Sequence, residues 1–284
     1  MGKKTRLQRI RARGKLLDEI LAWKRQEVAR LKRERPLAEL RALALTVPAP
    51  LDFLAALRSP HVGLIAEVVR ATPARGLLSS DFDPAALART YATNRAAAIS
   101  VVTDARFFQG SLEHLARAKE TVNRLDTPVP IVRRDFIFDP YQVWESRVAG
   151  ADAVHLIAAV VGEKGLRTLL SEARALGMDA LVEVHTEEEL ARALAAGARA
   201  IDLSNRDLGT FRVEANVVER LRPLVPPDVL VVGEGGIHTP EDARQLAALG
   251  VDAVLVGEPF VRAKGKERAR LVRAFVEALE AKTR

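Results

Sequence analysis

The sequence predicts an α/β fold, a (β/α)8 TIM barrel with an N-terminal helical extension, and three observations predict it. An internal echo recurs as GADAVHLI (150–157), GMDALVEV (177–184), GARAIDLS (197–204) and GVDAVLVG (250–257). In each copy a helix-ending glycine precedes an apolar run of strand length. Eight such strand patterns, alternating with amphipathic helical patterns, fill about 220 residues, which demands parallel strands and leaves no room for a second core. Finally, no G-x-G-x-x-G follows the first strand pattern, against the open doubly wound sheet.

Residues 1–48 read as a basic helical extension that packs on the barrel, and residues 49–284 as the barrel, a single domain. From Leu16 onward LLDEILAWKRQEVARLKRE places apolar residues at 16, 17, 20, 21, 28 and 31, a helical stripe that needs a surface to lie on. Residues 1–35 hold thirteen Lys/Arg against four Asp/Glu, a balance of +9 that leaves the rest of the chain at −2. The run lacks interleaved aromatics, so it reads as a solvated helix face rather than a nucleic-acid or membrane contact. A binding or assembly role for residues 1–15 is testable by deleting them.

The barrel strands follow in order: LIAEVV (64–69), AAAISVVT (96–103), PVPIVRR (128–134), the first three echoes, DVLVVG (228–233) and the fourth echo, with a helix after the last. The chain has 284 residues, 48% of them hydrophobic, enough for one large core. It has no cysteine, which excludes disulfides, thiolate nucleophiles and cysteine-ligated metals and fits a reducing compartment, so cytoplasm is expected. No apolar run approaches the ~20 residues that span a bilayer, and MGKKTRLQRIRARGK has no apolar secretory core.

A barrel of this type keeps its site at the C-terminal strand ends. The residues there are Glu67 and Val69, Thr103 and Asp104, Arg133 to Asp135, Ile157, Glu183 and His185, Ser204 to Asp207, Glu234 to Gly236, and Gly257. The turns GEGGI after the seventh strand and VGEP after the eighth fall where the fold commonly binds phosphate through backbone N–H groups. A phosphorylated small molecule is the expected ligand.

The stretches IAEVVRATPARG, DFDPAALARTY, AAAISVVTD, FFQGS, RRDFIFDPYQV, GADAVHLIAA, LGMDALVEVHTEEEL, NRDLGTF and LVGEPFVR together resemble the indole-3-glycerol phosphate synthase family, from the helix around Leu16 to the last helix. The resemblance implies a monomeric barrel of tryptophan biosynthesis that needs no metal or organic cofactor. Its reaction closes 1-(2-carboxyphenylamino)-1-deoxyribulose 5-phosphate into indole-3-glycerol phosphate with loss of carbon dioxide and water. The substrate is thus a small phosphorylated aromatic-amine sugar. Ring closure needs a proton delivered to the sugar carbonyl, and dehydration needs an acid and a base.

The family usually supplies these with two lysines, two or three glutamates and an asparagine. By resemblance the catalytic positions here are Glu67, Arg134, Glu183, Ser204 and Glu234. The substrate- and phosphate-binding positions are Val69, Thr72, Pro73, Arg206, Gly235, Gly236, Gly257 and Glu258.

Four of these positions depart from the family pattern. Val69 stands where the family keeps the lysine that meets the substrate carboxylate, and strand alternation turns Arg70 away from the interior. Arg134 stands for the second lysine; a guanidinium with a pKa above ~12 stabilises an oxyanion but donates a proton poorly at neutral pH. Ser204 replaces an asparagine, and Gly235 removes a phosphate-binding hydroxyl.

Arg134 is therefore expected within ion-pair reach of Glu67 or Glu183, with a glutamate of raised pKa as proton donor. The alternative is a diverged, weak or inactive homologue that binds another phosphorylated small molecule. Aligning the echoes with RAAAISVV puts Ser100, His155, Asp202 and Leu255 at one level of strands 2, 4, 6 and 8, facing inward. A buried carboxylate needs a partner, which predicts a His155–Asp202 hydrogen bond, with Ser100 a candidate third member.

Overall fold

The computed structural model describes residues 6–210, 212–214 and 216–281, and side chains from Leu16 onward. The expectation for the basic arm of residues 1–15 concerns side chains outside that set.

Eight strands form a closed barrel: β1 Gly63–Val68, β2 Ala98–Val102, β3 Ile131–Arg134, β4 Ala153–Ile157, β5 Asp179–Val184, β6 Ala200–Ser204, β7 Leu230–Glu234 and β8 Ala253–Val256. Each pairs in parallel with its chain neighbours, and β1 pairs with β8. All eight strand patterns in the sequence are in this barrel, and helices follow them on the outside. Both faces of the sheet are buried, which is why the strands read as near-continuous apolar runs.

Most ladders begin two or three residues later than the apolar runs suggest. Gly150 sits at φ 91°, a left-handed conformation that ends the helix Pro140–Val148 and that a side chain would strain. The next acidic residue then fixes the turn. Asp152 Oδ2 accepts from Ile131 N at 2.7 Å, and Asp252 Oδ2 accepts from Val231 N at the same distance. Asp152 and Asp252 thus tie the starts of β4 and β8 to the strands before them.

Three helices precede the barrel: α1 Arg6–Glu34, α2 Leu37–Ala44 and α3 Phe53–Leu57. Phe53, Leu54 and Leu57 of α3 are buried against Ile65, Val132 and Leu181 inside the barrel, filling its interior away from the site end. The stripe of α1 lies on the outside. Ile20 and Leu21 pack with Phe136 and Ile157, and Val28 packs with Leu40 and Tyr141. Tyr141 Oη donates to Leu31 O and Arg35 O.

Lys24, 2% exposed, reaches Asp104 at 2.9 Å and Asp135 at 3.0 Å. Those residues follow β2 and β3, so α1 is strapped to the site end of the barrel. Among the described residues no helix is long and apolar enough to cross a membrane.

Candidate active site

Alternation along β3 sends its two arginines to opposite sides of the sheet. Arg133 is buried toward the helix Pro140–Val148, bonded to Glu145 Oε2 at 2.9 Å and Asp135 Oδ2 at 3.0 Å. Arg134 points inward, to the floor of a cavity of about 120 Å³ at the C-terminal strand ends. There its Nη1 donates to Glu67 Oε1 at 3.1 Å and Glu234 Oε2 at 2.6 Å, and its Nη2 to Glu183 Oε2 at 3.2 Å and Glu234 Oε1 at 2.7 Å. One guanidinium thus gathers three carboxylates and grips Glu234 with both of its arms.

The convergence follows from register. Glu67, Arg134, Glu183 and Glu234 come from β1, β3, β5 and β7, the four contributions of alternate strands to one interior layer. Each is register partner to a residue of the even strands: Glu67 to Ser100, Arg134 to His155, Glu183 to Asp202 and Glu234 to Leu255.

The layer from the even strands contains the expected pair: His155 Nε2 lies 3.0 Å from Asp202 Oδ2, with both residues buried. Ser100 is not its third member. Its Oγ donates instead to Glu67 Oε1 at 3.4 Å, because its register partner is Glu67 and a serine side chain is too short to cross the barrel.

Burial pushes the Glu67 carboxyl up against the pull of Arg134, with the charge of Glu234 adding to the rise. Glu183 and Glu234 go the other way. Burial would raise both, but His185 and Arg134 hold Glu183 low and Arg134 holds Glu234 low. Burial and the nearby Arg134 charge push His155 down to about 4, while burial and Glu234 push Asp202 up. Those directions describe a neutral pair in which a protonated Asp202 donates to the imidazole. His185 resists burial and rises to about 10, next to Glu183 and Glu189.

Most of the remaining sequence-derived positions surround the same cavity. Val69, Thr72, Ser204, Arg206, Gly235, Gly236, Gly257 and Glu258 line it; Pro73 does not, lying half-buried beyond the short strand Ala71–Thr72. Val69 is buried and brings no charge. Ser204 Oγ accepts from Arg206 N at 3.3 Å, so its hydroxyl already serves the turn after β6. Gly257 allows a close approach: a Cβ there would stand 2.8 Å from Glu67 Oε2. Glu258 is turned to Arg262, at 2.9 Å, and Arg75, at 3.6 Å.

Sequence reasoning missed the apolar wall of Phe108, Phe136, Leu208 and Ile237, and His238 at the rim. It also missed Lys24, although a signal was there: Lys24 follows Ile20 by four and precedes Val28 by four, a cation inside the apolar stripe. Among the described residues one group of histidine and carboxylate donors, His155, Glu183 and Asp202, brings ligating atoms within 4.8 Å of one another.

Solved structures share this architecture. The chain superposes on 3-hexulose-6-phosphate synthase from Salmonella typhimurium with a TM-score of 0.60 at 15% identity, covering 77% of this chain and 98% of that one. On thiamine phosphate pyrophosphorylase from Pyrococcus furiosus it gives a TM-score of 0.60 at 17% identity, covering 79% and 98%. At such identities the likeness is one of fold.

Sequence relatives are more specific. The chain is 48% identical over 244 residues to the indole-3-glycerol phosphate synthase of Dehalococcoides mccartyi (strain CBDB1), 86% of this chain and 93% of that protein. It is 49% identical over 252 residues to that of Roseiflexus castenholzii (strain DSM 13941 / HLO8), 87% and 94%. The family model described as indole-3-glycerol phosphate synthase matches residues 17–273. With the match running from α1 to the helix Gly265–Glu280, the chain belongs to the indole-3-glycerol phosphate synthase family.

Proposed function

We propose that the chain acts as a carboxy-lyase on 1-(2-carboxyphenylamino)-1-deoxyribulose 5-phosphate, closing it to indole-3-glycerol phosphate. The aryl carbon bearing the carboxylate attacks the sugar carbonyl, whose oxygen takes a proton. Carbon dioxide then leaves, restoring the aromatic ring, and the new hydroxyl departs as water. The observation that carries this reading is the grouping of Glu67, Glu183 and Glu234 around Arg134 at the cavity floor.

In this reading Glu67, the one glutamate of the three whose pKa is raised, holds the proton for the carbonyl oxygen. Arg134 stabilises the charge that develops on that oxygen. Of Glu183 and Glu234, both kept ionised, one accepts the single proton lost from the ring in dehydration, and that proton leaves with the hydroxyl as water. The phosphate lies at the edge formed by Thr72, Gly235, Gly236 and Gly257, with Arg206 nearby, and the aromatic ring lies against Val69, Phe108 and Phe136. A monomer is the working unit of this reading. The absence of cysteine fits a cytoplasmic setting.

A second reading is favoured by one observation: no lysine lines the cavity among the described residues, and its one floor cation is shared by three carboxylates. That composition suits a homologue that binds another phosphorylated small molecule with little or no turnover. Incubation with the carboxyphenylamino substrate, followed by indole fluorescence, separates the two. Turnover that Val69→Lys plus Arg134→Lys accelerates supports the first; binding of substrate without any indole product supports the second.

A further inference from the structure

The base of the cavity has more ligating capacity than its hydrogen bonds use. His155 Nε2 lies 3.0 Å from Asp202 Oδ2 and 3.4 Å from Glu183 Oε2, and the three side chains are 1%, 0% and 1% exposed. Two donors about 2.1 Å from a shared divalent ion are separated by about 3.0 Å when they subtend a right angle, and by about 3.4 Å at the tetrahedral angle. The two spacings from His155 Nε2 fit a shared ion, and the ligating atoms of all three side chains lie within 4.8 Å of one another.

A second observation is independent of those distances. Asp202 Oδ1, Glu183 Oε1, His155 Nδ1 and His185 Nε2 are all buried with no hydrogen-bond partner among the described residues. Glu183 Oε1 and His185 Nε2 face each other as an ion pair at 3.1 Å, which leaves Asp202 Oδ1 and His155 Nδ1 as the buried atoms without a partner, and a native core leaves few of these.

Charge points the same way. The carboxyl groups of Glu67, Glu183, Glu234 and Asp202 face two cationic groups, the Arg134 guanidinium, which bonds the first three, and His185 beside Glu183. The Arg134–Glu183 contact, at 3.2 Å, is the longest of that guanidinium's bonds, so Glu183 is the carboxylate it holds least closely. Glu183 also lines the cavity and gives an ion a way in.

We infer that His155, Glu183 and Asp202 form a binding site for one divalent transition-metal ion. An imidazole with two carboxylates and no thiolate selects Zn2+, Mn2+, Co2+ or Fe2+ over Ca2+. The ion sits between the three donors and fixes Glu183 at the cavity floor. The site is defined by donors rather than by substrate, and in the metal-free protein Glu183 keeps the role given above.

The test uses the full chain, stripped with a chelator and dialysed, then titrated with Co2+ followed by visible absorption, and with Zn2+ and Mn2+ followed by calorimetry. One ion per chain, cobalt bands of an N/O site and a raised Tm are expected. His155→Leu combined with Asp202→Gly, which removes both polar groups together, should abolish the cobalt bands. Glu183→Gln should weaken binding by about tenfold or more, with circular dichroism reporting that each variant is folded. If the double variant does not fold, Asp202→Asn takes its place with the same expected loss. A folded wild-type chain that binds none of the three ions overturns the inference, as does binding that persists unchanged in these variants.

Discussion

His155 Nε2 and Asp202 Oδ2 meet at 3.0 Å inside the barrel, from β4 and β6, with neither side chain more than 1% exposed. Each is the other's compensation for burial. Asp202→Gly alone, which leaves the imidazole unpartnered, should cost about 1–3 kcal/mol. Adding His155→Leu should recover part of that loss, giving a coupling of about 1 kcal/mol or more in a double-mutant cycle measured by urea denaturation of metal-free protein. Additive effects would mean that the pair does not interact.

Arg134 is the counter-charge for three buried or half-buried carboxylates. Arg134→Leu should destabilise the fold by about 3–5 kcal/mol, because the cost is that of leaving buried charge uncompensated. Arg134→Lys should cost less, and Glu67→Gln should partly rescue Arg134→Leu. Equilibrium unfolding at neutral pH reads all three.

The strap from α1 to the barrel has a pH dependence of definite sign. Burial alone would raise Asp135, but Lys24 and Arg133 outweigh it and hold the carboxyl well below its usual range. Its stabilisation is therefore complete above the unfolded value of ~3.9 and is lost as pH falls below it. Burial would lower Lys24, yet Asp135, Asp104 and Glu27 raise it, so its contribution is complete below ~10.4 and is lost as pH rises beyond that value. Lys24→Met should lower stability at pH 7 and flatten both limbs of the stability profile. A variant with the wild-type profile shifted uniformly downward would contradict the assignment.

Gly257 leaves room for a carboxylate and nothing more. Gly257→Ala places a methyl 2.8 Å from the present position of Glu67 Oε2 at a backbone conformation, φ −130°, that alanine tolerates. The fold should persist while the Glu67 carboxylate shifts, and turnover should fall by about tenfold or more, the sensitivity of a catalytic group to a displacement of about an ångström. Steady-state kinetics with a parallel Tm measurement separates loss of positioning from loss of fold.

The parts of this site that were legible in the sequence are those set by strand periodicity. Alternation places Glu67, Arg134, Glu183 and Glu234 on the interior side of their strands, and barrel closure brings them together whatever the loops do. The echo also fixed the level of His155 and Asp202. Ser100 shared that level, but its hydroxyl follows its register partner Glu67, a choice that depends on side-chain reach rather than on pattern. The apolar wall of Phe108, Leu208 and Ile237 comes from a one-turn helix, Ala105–Phe108, and from loops, whose paths are set by tertiary contacts with no periodic signature. Lys24 was visible as a break in a stripe, but only Glu27 of its three acidic partners is near it in sequence; Asp104 and Asp135 lie 80 and 111 positions further along the chain.

In the proposed mechanism Glu67 carries the proton for ring closure while Arg134 holds the charge. Single-turnover indole fluorescence with the carboxyphenylamino substrate, comparing wild type with Glu67→Gln, tests it most directly. Product formation by the wild type, falling by about 10²-fold or more in the variant with substrate affinity retained, is the expected result. Equal rates in the two proteins, or substrate that binds the wild type and yields no indole, would contradict it.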